Sequence, residues 1–232
     1  MRTEQVYLSD PYKKEMDAVV IDTEGGTVLD RTIFYATSGG QPSDTGWMDG
    51  KERYEVNDVM KGQEIFHVTT PTPEIDERVR LRINWEKRYK YMRLHTSIHV
   101  ISAIAMKEFK AMITGNQIYY EYARIDFNFG DWNPEITKKL QERVNEELAK
   151  NHQVEWFTMN RNEILNIEGS VKVDQKLIPD SEILRVVKIG DIDIQPDGGT
   201  HVRNTSEIGR VEIFKTENKG RNNKRMYFDV QI

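Results

Sequence analysis

Residues 85–110 read WEKRYKYMRLHTSIHVISAIAMKEFK and contain neither Gly nor Pro. The apolar residues of this segment recur every three or four positions, which is the period of an α-helix; they are Tyr91, Leu94, Ile98, Ile101, Ala105 and Phe109. Asn84 stands directly before the segment and is of a type that caps helix N-termini. The sequence therefore predicts a long helix that begins near Trp85.

The residues before this helix are rich in strand and turn signals. Ala18–Asp22 and Arg78–Ile83 have the short apolar or alternating pattern of strands, and Gly, Pro and Asp pairs between them are typical of turns. This spacing favours a small antiparallel β-barrel or sandwich. We expect residues 1–84 to form an N-terminal β-barrel-like domain and residues 85–232 to form a second domain.

The second part of the chain mixes strands with a further helix. Asn133 and Pro134 suit the cap and first turn of a helix whose apolar face includes Leu140 and Val144. A short helix is expected at Arg161–Glu168. Strands are expected at Gln117–Tyr122, Ala123–Phe129, Val154–Asn160, Leu184–Ile189, Ile208–Thr216 and Arg225–Ile232. Strands in runs, interrupted by two long helices, favour the α+β class over a parallel arrangement.

Composition restricts the kinds of protein this chain can be. Its 232 residues include 33 Lys and Arg, 38 Asp and Glu, and no Cys, which gives a formal net charge of −5. The absence of Cys excludes disulfides, thiolate nucleophiles and iron–sulfur clusters, so any metal is held by nitrogen and oxygen. With neither a secretory signal nor an apolar run long enough to span a bilayer, the expected compartment is the cytoplasm.

Three of the five histidines lie in two short segments. His95 and His99, in HTSIH, are four residues apart on the predicted helix, so their imidazoles share one face and are placed to bind one metal ion. The second segment, DGGTH, has two glycines between Asp197 and His201, which allow a tight turn that brings both side chains to a common centre. Each segment alone is equally well an ordinary helix face or turn. Together they define a candidate site of three nitrogens and one carboxylate.

Three separated blocks resemble the AlaX family, the free-standing relatives of the alanyl-tRNA synthetase editing domain. They are FYATSGGQPSDTG at residues 34–46, HTSIH at 95–99 and GGTHVRNTSEIG at 198–209. The glycine-rich block and the N-terminal domain resemble the mid-sized class of the family. The resemblance implies a β-barrel domain followed by an α+β alanyl/threonyl-tRNA synthetase-type editing domain.

The resemblance also implies a reaction and a cofactor. The reaction is hydrolysis of mischarged tRNA(Ala), chiefly Ser-tRNA(Ala), with Gly-tRNA(Ala) as a further candidate, at a site that holds zinc (Zn2+). The family's metal positions fall on His95, His99, His201 and the residue before the two glycines. That residue is usually Cys, whereas here it is Asp197, so this chain departs from the family at the fourth position. Asp197 either binds zinc directly or holds a metal-bound water.

Further residues are assigned to the substrate. The resemblance makes Gln41 a candidate catalytic residue whose amide hydrogen-bonds the substrate or the water, and it makes Gly39 and Gly40 places where the backbone approaches the substrate. On the residues alone this block is a β-turn between two strands. Thr200 is a candidate to bind the serine hydroxyl or to make a local turn hydrogen bond. Thr96 and Ser97 are assigned no catalytic role, because helical geometry directs them elsewhere.

Two basic segments are candidates for docking tRNA, because clustered cations bind phosphates and interleaved aromatic rings can stack on unpaired bases. The preferred one precedes His95 and contributes Arg82, Lys87, Arg88, Lys90 and Arg93. The second, Lys215–Arg225, contains Lys215, Lys219, Arg221, Lys224 and Arg225.

Two other functions stay open at this point. The first is a catalytically inactive tRNA-binding module of the same fold, suggested by the aspartate at the metal site. The second is a metal-dependent hydrolase of another aminoacyl ester.

Overall fold

The computed structural model describes residues 2–130, 132–170, 178–220 and 223–231. The chain divides into two compact units, Met1–Tyr91 and Met92–Ile232. The strands of the first unit are β1 (Glu4–Gln5), β2 (Glu15–Asp22), β3 (Val28–Leu29), β4 (Arg31–Thr32), β5 (Gly46–Asp49), β6 (Arg53–Lys61), β7 (Ile65–Thr70) and β8 (Arg78–Ile83). The strands of the second are β9 (Ile113–Ile118), β10 (Ala123–Phe127), β11 (Val154–Asn160), β12 (Ile183–Ile189), β13 (Asp193–Pro196), β14 (Arg210–Asn218) and β15 (Lys224–Gln231). The helices are α1 (Trp85–Phe109), α2 (Pro134–Leu148) and α3 (Arg161–Leu165).

The first unit is a nearly closed antiparallel barrel. Its six strands follow the order β3-β2-β8-β5-β6-β7. Thr27, beside β3, and His67, in β7, exchange backbone hydrogen bonds of 2.9 and 2.8 Å, which join the two ends of the sheet. In β8 the arginines are exposed while Val79, Leu81 and Ile83 are buried, as alternation across a barrel wall requires. The predicted barrel is confirmed.

His67 is completely buried in this barrel and both of its ring nitrogens have partners. Nδ1 donates to the carbonyl of Thr27 at 2.9 Å, so Nε2 accepts the proton of the Thr32 hydroxyl, 2.8 Å away. The hydroxyl of Thr32 in turn accepts the backbone N–H of Phe34 at 3.0 Å. The network is satisfied by a neutral imidazole, and burial lowers the pKa of His67 to about 4.

Helix α1 has a side-chain cap at its N-terminus and a residue of positive φ directly after its C-terminus. The side-chain oxygen of Asn84 accepts the backbone N–H of Lys87 at 3.2 Å, so the predicted cap is present. Lys110 has a φ of +57°, and its N–H donates to the carbonyl of Met106 at 3.2 Å, which is the pattern of the αL motif at helix C-termini. Between these ends, residues 91–105 are buried.

The second unit has two antiparallel sheets, ordered β14-β15-β10-β9 and β11-β12-β13. Helix α2 is capped by Asn133, whose side chain accepts the N–H of Ile136 at 2.9 Å, with Pro134 in the first turn. The mixture of antiparallel sheets and few helices confirms the predicted α+β class. Among the described residues, no helix is long and apolar enough to cross a membrane.

Candidate metal centre

Four side chains of the second unit converge on one point. His95 and His99 project from α1, while Asp197 and His201 come from the loop after β13. One ligand atom from each lies within 4.8 Å of all the others, and the three imidazoles are buried. The structure therefore brings together the two histidine segments that the sequence offered separately, and this cluster is able to hold a metal ion.

The carboxylate oxygens of Asp197 lie close to the Nε2 atoms of all three histidines. Oδ1 lies 3.0 Å from Nε2 of His201, and Oδ2 lies 3.5 Å from that of His95 and 3.7 Å from that of His99. Ligand atoms bound tetrahedrally to zinc at about 2.0–2.1 Å are separated from one another by about 3.3 Å. The distances from the carboxylate to the three nitrogens are near this value, and all four ligand atoms lie within 4.8 Å of one another, so the cluster is able to hold a metal ion with Asp197 among its candidate ligands.

The side of His99 that faces away from the cluster is held by a second carboxylate. Nδ1 of His99 lies 2.9 Å from Oδ2 of Asp193 and 2.7 Å from the side-chain amide of Gln195, which also lies 3.3 Å from that oxygen. A carboxylate only accepts, so Nδ1 donates its proton to Asp193. Because Nδ1 carries the proton, Nε2 of His99 keeps a lone pair toward the cluster. Sequence reasoning missed Asp193, although its place four residues before Asp197 in DIDIQPD was a usable signal.

Thr96 fixes the ring orientation of His201, as Asp193 fixes that of His99. The Thr96 hydroxyl donates to the carbonyl of Met92 at 2.8 Å, so it accepts from Nδ1 of His201 and from the N–H of Val202, both at 3.2 Å. Nε2 of His201 is then directed at Asp197 as a lone-pair donor. The expectation that Thr96 points elsewhere is corrected, whereas Ser97 donates to the carbonyl of Arg93 in its own helix.

The backbone of the DGGTH loop is fixed around Asp197. Its N–H donates to the carbonyl of Arg185 at 3.1 Å, and the Arg185 guanidinium donates to the carbonyl of Asp197 at 2.8 Å. The Asp197 carboxylate also accepts the N–H of Gly199 at 2.6 Å, closing a local turn. Thr200, beside His201, is completely buried.

Burial sets the protonation states that a metal needs. It lowers the pKa of His95 to about 4 and that of His201 well below the ordinary value for histidine. Burial alone would raise the pKa of Asp197, but the interaction with His95 and the contacts with His201 and His99 hold that pKa well below its usual value. Neutral imidazoles and an ionised carboxylate are the forms that bind a cation.

The glycine-rich block forms a tight turn in the first unit. Ser38 and Gln41 exchange backbone hydrogen bonds of 3.2 and 2.9 Å across Gly39 and Gly40, whose φ angles are +58° and +87°. Positive φ at both central positions is the requirement of a type I′ turn, which explains the two glycines. The side chain of Gln41 is completely buried.

Two of the arginines expected to contact tRNA are structural instead. Arg88 is fully buried, where it forms a two-atom ion pair with Asp44 and donates to the carbonyls of Pro11 and Ile33. Arg93 is 4% exposed and donates to the carbonyl of Ile208 at 3.1 Å. Neither guanidinium is accessible to a phosphate, so the docking expectation is corrected at both positions.

The other basic residues of that segment reach the surface. Arg82 is exposed and pairs with Asp49 at 3.1 Å, and Lys87 lies 5.9 Å from the ring of Tyr91. Lys90 is half-buried. In the second basic segment, Arg221 lies outside the described residues.

Comparison with known proteins gives two family matches. Residues 184–227 match the threonyl and alanyl tRNA synthetase second additional domain, and residues 3–87 match the class II (A) tRNA synthetases. The chain is 39% identical to the alanyl-tRNA editing protein AlaX-M of Saccharolobus solfataricus, over 99% of both chains. It is 36% identical to AlaX-M of Methanosarcina mazei, over 98% of this chain and 96% of the relative. An alanine–tRNA ligase of Saccharolobus islandicus is 34% identical over 93% of this chain, which corresponds to 25% of the ligase.

Proposed function

This chain belongs to the AlaX family of alanyl-tRNA editing proteins, and from this premise we propose that it hydrolyses tRNA(Ala) charged with the wrong amino acid. The observation that carries the proposal is the buried cluster of His95, His99, Asp197 and His201. The proposed substrates are Ser-tRNA(Ala) first and Gly-tRNA(Ala) second, and the proposed compartment is the cytoplasm.

Zinc is the proposed metal. Three imidazoles and one carboxylate, whose ligand atoms lie within 4.8 Å of one another, are a donor set that suits zinc. When bound, zinc supplies a positive charge that polarises the ester carbonyl or orients the substrate for attack by water.

The residues of this chain prepare that site before substrate arrives. Asp193 and Thr96 fix the ring orientations of His99 and His201, so neither imidazole has to reorganise during binding. The low pKa of the buried Asp197 keeps its carboxylate ionised across the physiological range. Since an aminoacyl ester is already activated, positioning and electrostatic stabilisation of the oxyanion are the main demands on the protein.

Selectivity against correctly charged tRNA requires recognition of the wrong side chain. An apolar pocket discriminates a hydroxyl by only about 100-fold, so a site that hydrogen-bonds the serine hydroxyl is needed to spare alanine. We assign this recognition to Thr200, and we propose Gln41, with the backbone of Gly39 and Gly40, as separate substrate contacts. Gln41→Ala is expected to lower kcat for Ser-tRNA(Ala) more than it changes the affinity for uncharged tRNA.

The surface cations Arg82, Lys87 and Lys90 are proposed to contact tRNA phosphates. Replacing all three with Gln is expected to raise KM and to reduce the salt dependence of tRNA binding, because each lost phosphate contact lowers the slope against log salt.

The experiment that tests the function compares deacylation of Ser-, Gly- and Ala-tRNA(Ala) by the zinc-loaded protein. Rapid loss of Ser-tRNA(Ala) with Ala-tRNA(Ala) spared supports the proposal. Tight binding of tRNA(Ala) without turnover would establish an inactive binding module instead. Equal hydrolysis of a small aminoacyl ester that lacks tRNA would establish a hydrolase of another class.

A further inference from the structure

Four aromatic rings lie close together beside the sheet β14-β15-β10-β9, two of them on strands β14 and β15 and two in the turn between β9 and β10. The ring centroids of Tyr119 and Tyr122 are 4.8 Å apart, and Tyr122 lies 6.0 Å from both Phe214 and Tyr227. Phe214 and Tyr227 are 6.4 Å apart. We call these four residues the aromatic row.

Phe214 is turned outward by a defect in the strand pairing. Ile213 pairs with Phe228 and Lys215 pairs with Tyr227, so Phe214 is the extra residue of a β-bulge in β14. Its side chain is 54% exposed, the second most exposed among the large hydrophobic residues described. Bulges re-aim side chains, and an exposed cluster of large rings usually marks an interaction surface.

A shallow groove of about 290 Å³ runs beside Phe214, between α2 and β14. Lys138 and Lys215 line it, together with Thr137, Gln141 and Thr216. Oγ1 of Thr137 is buried and has no hydrogen-bond partner among the described residues. Oε1 of Gln141 accepts the N–H of Ile213 at 2.6 Å, which leaves its amide nitrogen to donate. The groove therefore offers two ammonium groups, a hydroxyl and an amide beside an exposed ring.

The positive charge at this end of the row is only partly neutralised. Glu217 is shared by Lys215 at 2.6 Å and Lys219 at 2.7 Å, so one carboxylate faces two ammonium groups. Lys138 has Glu142 at 3.9 Å, and both side chains are exposed. Lys215 also lies 5.0 Å above the ring of Tyr227, next to the aromatic row.

We propose that the aromatic row and the groove bind unpaired nucleotides of tRNA, with a base stacked on Phe214 and the adjoining phosphates between Lys138 and Lys215. Rings supply sequence-tolerant stacking, and lysines supply the charge that follows an RNA backbone. A second copy of this chain would gain little from the exposed ammonium groups, which is why RNA is the occupant we argue for. The inference rests on the proposed function, because it takes tRNA as the partner.

The test measures binding of uncharged tRNA(Ala) by fluorescence anisotropy for the wild type and for Phe214→Ala, Lys138→Gln/Lys215→Gln and the control Phe157→Ala. Phe157 is 38% exposed on β11, outside the aromatic row, so its replacement removes a similar ring elsewhere. We expect Phe214→Ala to raise Kd about tenfold, since stacking on one ring is worth about 5- to 100-fold. The double lysine variant is expected to reduce the slope of log K against log salt by about 1.4.

Phe157→Ala should leave Kd and slope unchanged. Unchanged binding by Phe214→Ala, an equal loss in Phe157→Ala, or no measurable tRNA binding by the wild type would overturn the inference. A change in oligomeric state of Phe214→Ala with Kd unchanged would assign the row to contacts between copies. If the wild type binds tRNA through this surface but does not hydrolyse Ser-tRNA(Ala), the proposed function fails while the binding surface stands.

Discussion

Asp193 accepts a hydrogen bond of 2.9 Å from Nδ1 of His99, a residue 94 positions earlier in the chain. The contact fixes the imidazole so that Nε2 faces the other three members of the cluster. A carboxylate behind a metal-binding histidine also makes the ring a stronger electron donor. We therefore infer that Asp193 is a positioning residue for the candidate metal centre.

Asp193→Asn should weaken metal binding about tenfold, because the amide keeps the size of the side chain but removes its charge. Affinity is measured by competition with a chelator. Asp191→Asn, an exposed change two residues away in the same segment, is the matched control and should leave affinity unchanged. Equal affinities of Asp193→Asn and the wild type would show that this contact does not support the metal.

Thr96→Val should destabilise the protein by about 1–3 kcal/mol, since it leaves the Nδ1–H of His201 and the N–H of Val202 without an acceptor. It should also lower metal affinity, because the tautomer of His201 is no longer fixed. Thr96→Ser keeps the hydroxyl and should restore affinity. If Val and Ser variants bind metal equally well, the hydroxyl has no positioning role.

Arg88→Met should lower the free energy of unfolding by about 3–5 kcal/mol, because it leaves the buried carboxylate of Asp44 without its partner. Urea denaturation measures this loss. Arg82→Met, which removes an exposed ion pair, should change stability by less than about 1 kcal/mol. A comparable small effect at both positions would contradict the structural role assigned to Arg88.

Acid should destabilise the protein partly through His67. Its pKa is about 4 in the folded chain and 6.5 in the reference state, so between these values only the unfolded chain binds the proton. Stability is therefore full above pH 6.5 and falls as the pH falls toward 4, by about 3 kcal/mol in total for this residue.

His67→Gln lacks this titration, so the stability advantage of the wild type over the variant should shrink by that amount across the window. Unfolding free energies at pH 7.0, 5.5 and 4.5, measured with both proteins at the same metal concentration, give the difference directly. If the unfolding free energies of the two proteins change equally with pH, His67 does not contribute to the acid sensitivity.

The parts of the fold that depend on local sequence were predictable. In helix α1 the apolar residues recur every three or four positions and Asn84 caps the N-terminus. The barrel strands alternate between polar and apolar residues. Helical geometry alone predicted that the two histidines of HTSIH lie on the same face of α1. Two adjacent glycines in each of the loops at 39–40 and 198–199 indicated tight turns correctly.

The contacts that escaped prediction join residues far apart in the chain. Arg88 reads as one more cation in a basic segment, and only the barrel brings Asp44 to it. Thr96 finds His201 at a separation of 105 residues, and no periodicity encodes that pairing. Whether a cation is buried or exposed, and which partner a hydroxyl meets, follows from tertiary packing rather than from local pattern.

The most direct test of the proposed metal-dependent editing function is the rate of Ser-tRNA(Ala) deacylation before metal removal, after removal by a chelator and after zinc is returned. The predicted result is loss of turnover to the rate of the uncatalysed reaction, followed by recovery with zinc in the wild type but not in a variant with His95→Ala and His201→Ala. Undiminished deacylation by protein shown to be free of metal would contradict the account.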